Sequence, residues 1–377
     1  MKLTKTLAIT LLCAGFTNLK SATFEQQEQK VQTALKAMYN REYELAANLF
    51  QEVLNSTPFH PMGPLGALAV QYYQNEGLIG YHQRNQQFLV DIEQALRLYS
   101  EQIKQNPSQS EYFFYYGTVM GLRARIQLAE KNYFGVLTSG YNAVRFIKKT
   151  EKLYPDEPDF QLPVGLFNYY VSISAPYMKI ASRIMNESGS RTEGLQAIKA
   201  DADYGNYGRY EARSLLAYLY FYFESNYSGA YEYASKMAED FPKNPYYAAQ
   251  AADAAIQIGQ LDQANYYLKR IEALLPTLPP KTQKDYQGTL RLLYGSLALA
   301  QGRLDEAESN LKEYIQFYDY ELDYDLGNAL VRLGNVYDLQ KRRSEAIACY
   351  RKTVQLNNRT AAVGLAEQYL KQPYNRN

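Results

Sequence analysis

Leu330-Val331-Arg332-Leu333-Gly334-Asn335-Val336-Tyr337, followed by Ala346, Ile347, Tyr350 and Val354, decides the fold. Leu330, Leu333, Gly334 and Tyr337 recur at the spacing of one helix face, and Ala346, Ile347, Tyr350 and Val354 repeat that spacing on a second segment. Between them lies the polar turn Gln340-Lys341-Arg342-Arg343. Two amphipathic helices on a short turn form an antiparallel hairpin. Gly334 and Ala346 are expected to be small because the two helices cross closely there and a larger side chain would push them apart.

The same skeleton recurs along the chain. It is seen at Gly302 to Ala307 with Leu311, at Gly259 to Ala264 with Leu268 and Pro276, at Ala230, Ala234 and Pro242, and at Tyr43, Ala46, Phe50 and Pro58. Looser copies centre on Ala95 with Tyr99 and Pro107, and on Ala143 with Ile147 and Pro155. Proline recurs after the second helix because it cannot continue one. A Leu-Gly pair, then Tyr, then Ala, then an aromatic resembles the tetratricopeptide (TPR) repeat, whose period is about 34 residues. Ala230 to Ala264 spans one such period, whereas Ala46, Ala95 and Ala143 are spaced more widely, as longer helices or loops require. The expectation is an all-α chain: an α-solenoid of about eight TPR-like hairpins over 25–55, 62–105, 111–154, 160–200, 207–241, 245–275, 282–318 and 321–357. A final helix from Thr360 to Lys371 supplies the polar cap that a solenoid end requires. Residues 73–86, with two glycines, are expected to form a loop.

Composition is that of globular material: 377 residues, 46% apolar, 21% charged, 38 tyrosines, no tryptophan and two histidines. The N-terminus reads Met-Lys-Leu-Thr-Lys and then an apolar run from Thr6 to Phe16, the pattern of a signal peptide and too short for a bilayer, which needs about 20 residues. Cleavage is expected near Ala22, with export to the periplasm. Cys13 would allow a lipid anchor, but Leu12 stands where a lipobox has a small residue, so plain secretion is preferred. Removing residues 1–22 takes the basic side chains from 40 to 37 against 39 acidic ones. Near-neutral balance argues against nucleic acid as a partner. No other segment is apolar for long enough to be an integral membrane segment. The domain expectation is 1–22 signal peptide, 23–160 N-terminal hairpins with long helices, 161–213 an atypical middle section, and 214–377 C-terminal repeats and cap.

The middle section runs Leu162-Pro163-Val164-Gly165-Leu166-Phe167-Asn168-Tyr169-Tyr170, Pro176 and Lys179, then Gly189-Ser190-Arg191-Thr192-Glu193-Gly194-Leu195, with Gly205, Glu211-Ala212-Arg213 and Asn244-Pro245 beyond. It resembles uncharacterised exported bacterial TPR proteins and, more distantly, the tetratricopeptide repeat protein 39 and Iml2-type families. The resemblance implies an all-helical repeat protein without known chemistry. The signal-like N-terminus sets this chain apart from the eukaryotic families. Pro176 is expected to end or kink the helix that begins near Leu162, and Gly189 and Gly194 to bracket a turn. Arg191 either donates to carbonyls at a helix end, the preferred reading, or meets a ligand anion at the turn.

Catalytic signatures are missing. His60 is placed in an inter-repeat turn and His82 in a loop, with no His-Glu-x-x-His, paired cysteines or Gly-x-Ser-x-Gly. Asp319 to Asp325 fails as a calcium loop, having Tyr324 and Leu330 where Gly and Glu are needed, and reads as the acidic start of a helix. Cys349 reads as a packing residue. No cofactor and no enzymatic activity are expected. What remains is aromatic: Tyr112 to Tyr116, Tyr218 to Phe223 and Tyr246-Tyr247 lie on first helices, which line the concave side of a TPR superhelix. About half of each run should be core. The rest is expected to meet a protein or peptide partner, giving as candidates Tyr115, Tyr116, Tyr169, Tyr170, Tyr218, Tyr222 and Tyr246, with Arg123, Arg191 and Arg332 for charge. The carboxylate clamp of some TPR domains is not visible, since Tyr246, Asp253, Thr289 and Ser296 occupy its positions. The alternative is a binder of a glycan or another small ligand, stacking sugar rings on tyrosine.

Overall fold

The computed structural model describes residues 22–375 except 57–58, 76–80, 110, 131, 152–153, 155–156, 174–188 and 320–322. The described residues hold seventeen α-helices and no strand. They form eight hairpins in chain order: α1 (Ala22–Tyr39) with α2 (Tyr43–Leu54), α3 (Met62–Asn75) with α4 (Tyr81–Gln105), α5 (Glu111–Ala129) with α6 (Tyr133–Glu151), and α7 (Pro158–Ile173) with α8 (Arg191–Tyr204). Then follow α9 (Arg209–Tyr222) with α10 (Tyr227–Asp240), α11 (Pro245–Gln257) with α12 (Leu261–Leu274), α13 (Pro280–Gln301) with α14 (Leu304–Gln316), and α15 (Tyr324–Leu339) with α16 (Arg343–Leu356). Helix α17 (Ala361–Lys371) closes the series. The fold is thus an all-α, TPR-like α-solenoid with a capping helix.

The chain divides into two compact units, 22–215 and 216–375. Each is built the same way. Second helices pack on their own first helix and on the next one, as α2 does on α1 and α3 and α14 does on α13 and α15, and first helices touch first helices, as α1 with α3, α11 with α13 and α13 with α15 do. In the C-terminal unit this buries one continuous core, including Leu292, Leu311, Tyr314, Leu333, Val336, Ala346 and Tyr350, against which the cap sets Ala362 and Ala366. Helix starts are marked by side chains that accept from otherwise orphaned backbone N–H groups. Ser190 accepts from Glu193 N at 3.3 Å, Asn226 from Gly229 N at 3.0 Å, and Asn244 from Tyr246 N at 3.2 Å with Pro245 in the first turn.

Gly334 is small for the expected reason, but its neighbour differs. A Cβ there would collide with the ring of Tyr350, one turn beyond Ala346. In the middle section, Gly194 does not bracket a turn. It lies inside α8, where a Cβ would stand 2.7 Å from Gly165 O and 2.8 Å from Tyr169 N. Gly165 faces it in turn, where a Cβ would stand 2.8 Å from Gly194 O. Helices α7 and α8 therefore cross backbone to backbone, and the Gly189 to Leu195 element is the signature of that crossing. The helix expected near Leu162 starts at Pro158, with Pro163 within it. The bend expected at Pro176 lies outside the described residues. Of the residues expected to form a loop over 73–86, 73–75 belong to α3 and 81–86 to α4, so His82 lies in a helix, and 76–80 lie outside the described residues.

Gly194→Ala should destabilise the chain by about 1–3 kcal/mol, because the added methyl has backbone on both sides and nothing flexible to displace. Gly121→Ala and Gly140→Ala, in α5 and α6, meet nothing within 4 Å and should stabilise by up to about 1 kcal/mol through helix propensity. Urea unfolding of the three variants checks the contrast in sign.

Candidate functional site

Helix α11 is buried on all sides from Pro245 to Ile256. A charge on such a helix must be paired, because an isolated buried ion is too costly to keep. Asp253 is that charge. Arg332 of α15 reaches it with both terminal nitrogens, Nη2 at 2.8 Å from Oδ1 and Nη1 at 3.1 Å from Oδ2. The same Nη1 donates to Ser296 Oγ of α13 at 2.6 Å. One guanidinium thus ties the first helices of three consecutive hairpins. Burial works against its charge, but the Asp253 carboxylate outweighs burial and holds Arg332 above its ordinary value.

A second tie joins α9 to α15. Tyr222 Oη donates to Asp325 Oδ1 at 2.5 Å, and Tyr324 packs its ring against Tyr218, Tyr222 and Phe223, with centroids at 6.0, 6.2 and 5.6 Å. Burial pushes the Asp325 carboxyl up to about 6. Burial and the charges of Asp325 and Asp253 push the Tyr222 phenol well above its usual range. Asp325 opens its helix as expected of an acidic run, but it is fully buried rather than a solvated dipole partner.

The N-terminal unit uses the same device. Glu211 Oε2 of α9 accepts from Tyr39 Oη of α1 at 3.0 Å and from Tyr73 Oη of α3 at 2.5 Å. Glu28 accepts from Tyr207 and stands 3.5 Å from His60 Nε2. Burial acts to raise the Glu28 carboxyl, and the contacts with His60 and Tyr207 more than offset it. His60 lies buried in the expected turn, accepts from Met62 N at 3.2 Å and stacks on Phe24.

The candidates separate into two groups. Tyr115, Tyr169, Tyr218, Tyr222, Tyr246 and Arg332, expected to meet a partner, are buried in this structure. Their rings are spent on one another and on neighbouring helices: Tyr115 stacks on Tyr99 at 5.8 Å, Tyr169 meets Tyr170 edge-on, and Tyr246 Oη accepts from Gln250 at 2.9 Å. Tyr116, Arg123, Tyr170 and Arg191 keep some surface. Tyr116 packs on Phe146, Arg123 pairs with Glu93 at 2.9 Å, and Arg191 is exposed in the first turn of α8. Among the candidates, the rings of Tyr169 and Tyr170 and those of Tyr218 and Tyr222 are in mutual contact. Reasoning from sequence noted Asp253 and Ser296 as clamp positions but missed them as partners of Arg332. The usable signal was Asp253 as the one charged residue in the alanine-rich run 246–256.

Among the described residues, no group of His, Cys, Asp and Glu is arranged to hold a metal ion, and no helix is long and apolar enough to cross a membrane. Cys349 is buried, and burial pushes its thiol up to about 11, which suits packing and not nucleophilic attack.

No family model matches the chain, and no curated protein matches it. Solved structures with related helical arrangements include an IFIT1 monomeric mutant with Gppp-AAAA, at 13% identity over 96% of this chain and 90% of that one, with a TM-score of 0.40. They also include yeast Tom70, at 10% identity over 93% and 96% with a TM-score of 0.26, and the TPR domain of P58(IPK), at 14% over 93% and 100% with a TM-score of 0.27. Similarity this low carries no argument about function.

Arg332→Ala should cost about 3–5 kcal/mol, since it strands the buried Asp253 charge, whereas Arg332→Met combined with Asp253→Ala should recover most of that loss. A double-mutant cycle by chemical denaturation measures the difference. Single variants costing under about 1 kcal/mol would show that the pair does not tie the hairpins.

Proposed function

We propose that this is a non-catalytic repeat protein that binds a protein or peptide segment along the first-helix faces of its hairpins. One observation carries the reading. On α11 and α15, one turn before Asp253 and Arg332, Gln250 and Asn328 each leave a buried amide atom without a hydrogen-bond partner among the described residues. Unused amide capacity at buried sites costs stability. Both atoms are covered in this structure, so the N–H or C=O of an extended main chain would satisfy them by displacing the side chains that lie over α11 and α15. Stacked helical hairpins offer such a groove along their first helices. The ring contacts within the Tyr218, Tyr222 and Tyr324 cluster speak against the glycan alternative, because those faces are turned to one another.

A peptide array, followed by titration of the strongest binders, tests the reading. Saturable binding is expected, weakened about tenfold in Gln250→Ala/Asn328→Ala, the value of one or two net hydrogen bonds. Binding that the double variant leaves unchanged would remove these amides from the site.

We further propose that the protein works in the bacterial cell envelope, after removal of an N-terminal signal. The Met1 to Phe16 pattern supports this, and residues 1–21 lie outside those described. Fractionation with N-terminal sequencing of the mature chain should recover it outside the cytoplasm and beginning near residue 23. A cytoplasmic chain retaining Met1 would end the proposal.

A further inference from the structure

Asp159, in the first turn of α7, and Asp201, in the last turn of α8, meet at the turn Gly205-Asn206-Tyr207-Gly208 that leads into α9. The two carboxyls are treated differently. Asp159 Oδ1 accepts from the backbone N–H groups of Asn206, Tyr207 and Gly208 at 3.0, 3.1 and 3.0 Å. Three amide donors suit one full negative charge. Asp201 is equally buried, yet both of its carboxyl oxygens lack a donor among the described residues. Its carboxyl lies where a Cβ on Gly205 would stand, so the turn is moulded over it.

The other charged groups around the pair do not offset a second anion. Glu157, just before α7, and Glu211, on α9, are acidic and raise the Asp201 carboxyl further. Glu211 is occupied by Tyr39 and Tyr73, and Glu28 by Tyr207 and His60. Of the cations on α9, Arg209 donates to Tyr210 and Arg213 to the Ala202 carbonyl. Lys199 pairs with Asp203 on the outer face of α8. Two neighbouring carboxylates in such a site cannot both ionise.

We propose that Asp159 and Asp201 hold one proton between them, carried on Asp201, and that its loss to solvent releases the 205–208 turn, making this joint a proton-operated switch. Burial first, and then the Asp159 charge, push Asp201 well above the ordinary carboxylate range. Burial raises Asp159 too, against the pull of its three amide donors. The sign follows from linkage. The closed turn keeps a proton that the open turn releases near the ordinary carboxylate value of about 4. Closure is therefore complete below that value and is lost as pH rises through the folded value of Asp201.

Hydrogen exchange of the full chain between pH 5 and 8, corrected for intrinsic rates, reads the switch (~1 proton exchanged). Protection of 205–208 should fall with rising pH in the wild type, by up to about tenfold per pH unit, the limiting slope of one proton. In Asp201→Asn it should stay level, because the amide carries no charge and still donates to Asp159. Level protection in the wild type, or an unchanged slope in Asp201→Asn, would overturn the proposal. If Asp201→Asn fails to fold, infrared spectroscopy of Asp325→Asn, which removes the raised aspartate outside the pair, decides: a protonated-carboxyl C=O band persisting above the ordinary carboxylate range supports the shared proton, and its absence refutes it.

Discussion

Buried carboxylates without enough charge partners are the constraint from which the rest of this structure follows. Asp159, Asp201, Glu211, Asp253 and Asp325 all lie inside the helical stack. An acid in such a place needs a guanidinium, a set of N–H donors, a phenol or a proton. The chain uses all four. Asp253 has Arg332, Asp159 has three backbone amides, Glu211 and Asp325 have tyrosines, and Asp201 has nothing left but a proton.

This explains an unusual composition. Tyrosine outnumbers phenylalanine by 38 to 15 in a fold whose core needs only apolar bulk. A phenol fills the same volume as a phenyl ring and also carries a donor to an acid on another hairpin. Tyr39, Tyr73 and Tyr222 each do this across more than 100 residues of chain. Such bonds link first helices that hydrophobic packing alone would hold only to their immediate neighbours. They give register to a stack in which each repeat otherwise senses the next one alone.

The middle section is where the general repeat becomes particular. The Gly165–Gly194 crossing brings α7 and α8 to backbone contact, and that close approach carries Asp159 and Asp201 to the same turn. The α5–α6 hairpin approaches as closely, since a Cβ on Gly117 would stand 2.8 Å from Ala143 O, whereas the α15–α16 hairpin sets the ring of Tyr350 against Gly334.

The sequence by itself determined the eight hairpins, their order and the cap. Helical periodicity, turn residues and small-residue markers are local signals, and each is readable within one repeat. The loop over 73–86 was overdrawn because two glycines outweighed the helical pattern on either side. The functional faces were much less legible. Tyr115, Tyr169, Tyr218 and Tyr246 look identical in sequence to tyrosines that face solvent, since a helix aromatic on every side gives no periodicity with which to orient it. Which rings are core, that Arg332 belongs to Asp253 79 residues away, and that Asp201 lacks a donor among the described residues emerge only when the hairpins pack together. These are contacts between hairpins, governed by how the helices cross, and no spacing along the chain encodes them.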